Sequence, residues 1–282
     1  MKLVLFDIDG TLLNTGASGV KALNNVILEK YGKKPCYDVQ NITGKTDKHN
    51  FEFIYKNTFN KKPTAKIMQE MLSAYLAALP SEIKEQIKTK KYKAITGVET
   101  FLKELSKQKD VILGLATGNN ERAARIKLEP AGLNKYFKTG GFGWVSQDRT
   151  KILADAVKNA SKKYNYNFKP EEVFIIGDTH HDIMAAKENG YHSGVVLEAS
   201  LAPKDKLLRA AAELEAKDFT DIKLWFIWLG LTADPKGIKK GSYIMPASAI
   251  EHVFFSRTGI DEASLKKFRI KKYEDLESGT LW

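Results

Sequence analysis

The chain has 282 residues, 43% of them hydrophobic and 28% charged, the composition of an ordinary globular protein, which allows one large domain with a smaller one beside it. Lys and Arg number 45 against 34 Asp and Glu, for a net charge of +11, but the lysines are spread along the chain in runs such as IKTKKYK without a binding module. The charge therefore reads as a solvated surface that attracts anionic small molecules, with no nucleic-acid partner expected.

No apolar stretch approaches the roughly 20 residues of a membrane span, so no membrane partner is expected. The single cysteine, Cys36, cannot build a disulfide framework, and the first strand starts beside Met1, leaving no room for a secretory leader. A cytoplasmic protein is the expectation.

In chain order, KLVLF (2–6) is a short continuous apolar run, the pattern of a strand buried on both faces of a parallel sheet. Residues 17–32 place Val20, Leu23, Val26, Ile27 and Tyr31 at helical spacing and stop at Gly32, with Pro35 beyond. Helical patterns over 47–55, 65–79 and 81–90 extend an all-helical insertion that ends near 95–97. Strand-like runs return at 111–117, around 137–142, at 173–177 and at 194–197, with helical patterns between them.

This rhythm predicts an α/β fold, a doubly wound parallel sheet with a Rossmann-like core over 1–14 and 97–230, interrupted by a helical module over 15–96. LWFIWLGL (224–231) reads as a packed element. Residues 231–282 form an extension of unassigned role with a helix-like stretch at 261–268. Its Ile244, Met245, Val253, Phe254, Phe255 and Trp282 are expected to pack on the same subunit or on a second copy in a homodimer.

Four stretches fall at or just after strand ends: DIDGT (7–11), ATGN (116–119), DRTK (148–151) and GDTHHD (177–182). In open α/β sheets that is where ligands bind. Asp7, Asp9 and Asp178 are hard oxygen ligands suited to Mg²⁺, and without a cation they would repel one another. Thr117, Gly118 and Asn119 lie where a strand turns into a helix, so their donors can converge on a phosphate, and Thr11 after Gly10 can do the same. Arg149 or Lys151 would offset the charge of an aspartate and a phosphoryl group held together. Each piece alone reads as a turn, a cap or a solvated loop; together, in this order, they point to a metal-assisted phosphoryl site.

These motifs resemble the four motifs of the haloacid dehalogenase superfamily over about the first 225 residues. The insertion is similar to the helical cap of its phosphoglycolate-phosphatase-like branch, and ITGKTD (42–47) resembles a cap loop of that branch. The resemblance implies that Asp7 is the nucleophile, forming an aspartyl-phosphate, and that Asp9 protonates the leaving alkoxide and then activates water. It also implies a Mg²⁺ site drawing on Asp7, Asp9 through its backbone carbonyl, and Asp178, with Asp182 as a second acid that orients the basic residue or a metal-bound water.

Arg149 resembles the family's basic residue by its spacing to the following helix, while Lys151 has the more usual residue type. Asp9 argues against carbon–halogen cleavage, since the family's dehalogenases lack that acid. Substrate choice is expected to rest on cap residues, with Lys45, Thr46 and Asp47 as candidates, although Thr46 or Asp47 could equally cap the next helix. The expected substrate is a small phosphorylated metabolite, phosphoglycolate first; a sugar phosphomutase and a non-catalytic partner-binding scaffold are the alternatives. His180 and His181 sit among hard oxygen ligands, so a transition-metal site is not expected, and Cys36 lies outside every motif.

Overall fold

A computed structural model of the chain describes residues 1–232 and the backbone of Tyr243–Ile244. Strand β1 (Lys2–Phe6) leads into β2 (Leu13–Thr15), which pairs antiparallel with β3 (Tyr92–Ala94). Between these two short strands run helices α1 (Ser18–Tyr31), α2 (Asp47–Phe59) and α3 (Ala65–Lys88). The chain continues through α4 (Val98–Leu105), β4 (Val111–Thr117), α5 (Glu121–Leu128), β5 (Gly140–Phe142), α6 (Arg149–Tyr164), β6 (Val173–Gly177) and α7 (His180–Glu188). It ends with β7 (His192–Val196), α8 (Lys204–Ala210), β8 (Leu214–Ala216), α9 (Ile222–Trp228) and β9 (Tyr243–Ile244).

The main sheet has the order β5-β4-β1-β6-β7-β8-β9, parallel throughout except for β9, which pairs antiparallel with β8. β1 lies in its interior, between β4 and β6, and its alternation decides which layer each side chain enters. Leu3 and Leu5 pack with Leu153, Ala156 and Ala160 of α6 and with Ala185 and Ala186 of α7. Val4 and Phe6 enter the opposite layer, with Phe101 and Leu102 of α4 and Trp225 and Trp228 of α9. All four β1 side chains are fully buried, each worth about 1.5–3 kcal/mol of transfer free energy, which is why this strand reads as continuously apolar. The aromatic run at 224–231 is thus explained: Trp225 and Trp228 close one face of the sheet.

The inserted helices have their own apolar cluster, with Leu23 and Ile27 of α1, Phe51 and Ile54 of α2, and Met71, Tyr75 and Leu79 of α3. One expectation needs correction. The break assumed at Pro80 is absent, and α3 runs as a single helix of 24 residues through it. Proline costs a helix one hydrogen bond, but Leu76, Leu79 and Ile83 continue one buried face across the site, and that packing outweighs the loss.

The strand β8, at the edge of the parallel array, escaped the sequence reading because three residues carry no period. Met245, Val253, Phe254, Phe255, Trp282 and the stretch 261–268 lie outside the described residues, as does the side chain of Ile244.

Candidate active site

Parallel register brings the carboxyl ends of β1, β4 and β6 side by side: Phe6 is level with Leu115 of β4 and Ile176 of β6. Asp7, Gly118–Asn119 and Asp178 therefore emerge at one edge of the sheet. The Asp7 amide still donates to the Ile176 carbonyl at 3.0 Å, so the nucleophile candidate is fixed by sheet hydrogen bonding and not by a loose loop. After Asp9 the chain turns sharply, with the Leu12 and Leu13 amides both donating to the Ile8 carbonyl. Gly10 sits in this turn at φ +86°, and a Cβ there would stand 2.2 Å from Asp178 Oδ2, so both conformation and space require glycine.

Asp7, Asp178 and Asp182 each bring a carboxylate oxygen within 4.8 Å of the others, all three buried. Burial pushes Asp7 and Asp178 above the ordinary carboxyl range; Arg149 opposes this at both, while the neighbouring aspartates add to it. Arg149 Nη2 lies 2.8 Å from Asp7 Oδ2, and its Nε donates to Asp182 Oδ1 at 2.9 Å, with Nη2 reaching the same oxygen. The other oxygen of Asp182 accepts from the Thr179 amide (3.1 Å) and hydroxyl (2.8 Å), capping α7. Both oxygens of Asp182 are thereby engaged, which suits the orienting role. Asp7 Oδ1 is buried with no partner.

Asp9 points elsewhere. Its Oδ1 accepts from Thr15 Oγ1 at 2.7 Å, and its Oδ2 from Asn119 Nδ2 at 2.8 Å and Lys127 Nζ at 2.6 Å. Burial by itself would raise this carboxyl, but the Lys127 ammonium and the Asn119 and Thr15 donors outweigh it and hold Asp9 below its ordinary value. Its side chain is outside the aspartate group that could hold a metal, so any metal contact from this residue falls to its backbone.

The remaining expected residues divide. Gly118, Asn119 and Lys45 line the cavity above Asp7. The Thr117 hydroxyl is buried and accepts from the amide and the Nδ2 of Asn119, so it braces Asn119. Thr11 is fully buried and donates to Asp178 Oδ1 at 3.5 Å, which makes it a support for that carboxylate. Thr46 is the N-cap of α2, accepting from the His49 amide at 3.2 Å, and does not line the cavity. Lys151 is exposed: Arg149 opens α6, and two residues further on the helix has turned by about 200°, carrying that side chain away from the strand ends.

Lys127 is the residue that the sequence reading missed. It is 4% exposed, on the inner face of α5 with Ala123, Ala124 and Leu128. A lysine in phase with the apolar positions of a helix was the available signal. Asp47, at the start of α2, accepts from the Asn120 amide at 2.8 Å through Oδ2, and its own amide donates to the Gly118 carbonyl at 2.8 Å. Burial raises its carboxyl to about 6, with Lys127 pulling the other way. A Cβ on Gly118 would stand 2.9 Å from the Lys45 carbonyl, so this docking of the helical insertion onto the strand ends also needs glycine.

The cavity between the two parts has a volume of about 430 Å³ and holds Asp7, Asp9, Arg149 and Asp178 at its base. Burial and Lys45 hold His181 near 4, hence neutral at pH 7, and neither His181 nor His180 belongs to the candidate metal group.

The arrangement is shared with known proteins. Residues 4–196 match the family model of the haloacid dehalogenase-like hydrolases. The chain belongs to this family. Among curated haloacid dehalogenase-like relatives, a phosphorylated carbohydrates phosphatase of Thermotoga maritima is 27% identical, over 75% of this chain and 92% of its own length. A phosphoglycolate phosphatase of Agrobacterium fabrum is 28% identical, over 66% of this chain and 76% of its own. A solved hydrolase from Pseudomonas syringae superposes with a TM-score of 0.58 at 18% identity, covering 79% of this chain and 97% of that one, which shows the shared fold.

Proposed function

We propose that this haloacid dehalogenase-like protein is a Mg²⁺-dependent phosphatase that hydrolyses a phosphate monoester through an aspartyl-phosphate on Asp7. The observation that carries the reading is the division of labour within one buried carboxylate: Arg149 holds Asp7 Oδ2, while Asp7 Oδ1 has no partner at the base of a cavity. Asp7 Oδ1 attacks phosphorus and the bond to the leaving oxygen breaks, its electron pair departing with that oxygen, which takes a proton from Asp9; because Lys127, Asn119 and Thr15 hold that carboxyl ionised at rest, Asp9 must first take up this proton from solvent. Water then attacks phosphorus, giving its proton to Asp9, and the bond to Oδ1 breaks to restore the carboxylate. The names of two of the curated relatives, both phosphatases, support this reaction class.

The donor set fits Mg²⁺: three buried aspartates whose oxygens converge, with carboxyls raised by burial in the absence of enough positive charge. Asp7, Asp178 and the backbone carbonyl of Asp9 would hold it. When bound, the ion supplies charge neutralisation for the aspartates and the phosphoryl oxygens. Arg149, held in place by Asp182, adds a fixed cation beside the nucleophile. Asn119 and Gly118 line the same cavity. Residues 15–96 are taken as a cap, joined to the core through β2 and β3, that opens to admit substrate and closes to exclude water.

The test is phosphate release from a panel including phosphoglycolate and sugar phosphates, with Asp7→Asn alongside wild type. Release that depends on Mg²⁺ and falls by about 10³-fold or more in the variant, with its circular dichroism unchanged, is the expected result. Near-normal turnover by Asp7→Asn overturns the mechanism. Turnover surviving exhaustive chelation overturns the metal. Phosphate migrating within a sugar without release, followed by NMR, would identify a mutase.

A further inference from the structure

The cavity is larger than a phosphate with two carbon atoms requires. At about 430 Å³ it lies in the range of roughly 300–1,000 Å³ typical of sites for larger organic ligands. Its upper wall, beyond the aspartates, is apolar: Val20 and Leu23 from α1, Ile42, Phe51 from α2 and Tyr75 from α3. Phe51 and Tyr75 stand edge to face, ring centroids 5.1 Å apart, and both are almost fully buried.

Three residues lining this cavity each carry a buried polar atom with no partner: the Tyr75 hydroxyl, Asn50 Oδ1 and Asn24 Oδ1. Asn24 Nδ2 donates to the Tyr37 hydroxyl at 2.7 Å, and its carbonyl oxygen has no partner. An unpaired buried polar group costs about 1–3 kcal/mol, so a ligand toward which these three side chains turn would relieve that cost. The lysines of the wall are engaged or peripheral: Lys127 is held by Asp9 and Asn119, Lys21 by Gln86 Oε1 at 2.8 Å, and Lys45 is exposed.

We infer that the substrate's leaving group is an alcohol carrying a flat, ring-bearing body with a few hydrogen-bond donors, as in a heteroaromatic phosphate monoester. This deepens the phosphatase reading and rests on it. The apolar and aromatic side chains cover the ring faces, Asn24 and Asn50 accept from its N–H or O–H groups, and the Tyr75 hydroxyl pairs with a ring heteroatom. A carbohydrate, with a hydroxyl on nearly every carbon, would leave most of its hydroxyls facing apolar side chains, and phosphoglycolate would leave most of the cavity unfilled.

The experiment compares kcat/KM of wild type for adenosine 5′-monophosphate and pyridoxal 5′-phosphate with that for glucose 6-phosphate and phosphoglycolate, using acetyl phosphate to report the reaction by itself. The expected result is a preference of at least about tenfold for a ring-bearing phosphate, most of which is lost in Tyr75→Phe and Asn50→Leu through a rise in KM. Equal or better use of glucose 6-phosphate or phosphoglycolate, with acetyl phosphate hydrolysed, overturns the inference and leaves the phosphatase reading intact.

Failure to hydrolyse acetyl phosphate counts against the phosphatase reading instead. In that case, calorimetric binding of adenosine and pyridoxine to wild type decides the pocket. Binding weakened in Tyr75→Phe supports the inference, and no binding to wild type refutes it.

Discussion

Asp7 and Asp9 are two residues apart, yet their surroundings move them in opposite directions. Asp7 is crowded by buried carboxylates and has one cation in contact, whereas Asp9 is gripped by Lys127, Asn119 and Thr15. Lys127 is nearly buried while the Asp9 side chain is 39% exposed, so Lys127→Met should cost a modest amount for such a pair, about 1–3 kcal/mol in denaturant unfolding. In a double-mutant cycle with Asp9→Asn the effects should be non-additive by about 0.5 kcal/mol or more; strict additivity would mean that the pair does not form.

Arg149 and Lys151 separate as sharply. Arg149→Ala should lower kcat by about 10²–10³-fold, and Lys151→Ala should stay within about twofold of wild type. The reverse pattern in steady-state kinetics would move the catalytic cation to the exposed position.

The start of α2 docks the helical insertion on the strand ends through Asp47, whose backbone amide and carboxylate both reach the loop after β4. Its carboxyl, ordinarily near 3.8, is raised to about 6 by burial. The folded state thus favours the protonated form, and the stability this contributes is complete below about 3.8 and lost as pH rises through about 6. Asp47→Asn keeps an acceptor for the Asn120 amide and removes the ionisation. Its melting temperature relative to wild type should therefore be higher at pH 8 than at pH 4, by a few degrees at about 2–4 °C per kcal/mol. A difference that does not change with pH would show that Asp47 is hydrated in solution. α3 teaches a related lesson, since an uninterrupted buried stripe carries the helix through Pro80.

Across the molecule, the strand ends collect buried negative charge that the fold only partly balances. Mg²⁺ at 100 times its dissociation constant should stabilise the protein by about 2.7 kcal/mol, raising the melting temperature by about 5–10 °C, with the gain abolished by EDTA and absent in Asp178→Asn. A melting curve indifferent to millimolar Mg²⁺ would remove the metal from the mechanism. Among the described residues, no helix is long and apolar enough to cross a membrane.

The α/β rhythm, the central apolar strand and the four carboxylate and phosphate motifs were legible in the sequence because each rests on local order: period, turn residues and short spacings. Asp7, Asp9, Asn119, Arg149, Asp178 and Asp182 could be named before any contact was known. Which side chains meet which could not. That Arg149, and not Lys151, meets Asp7 depends on the rotation of α6; that Thr46 caps a helix and Thr11 braces Asp178 depends on where the chain returns. Lys127 lies 118 residues from its partner Asp9, and Tyr75 and Asn50 come from separate helices to one cavity wall. Such pairings are made by packing the inserted helices against the sheet, and tertiary structure alone decides them.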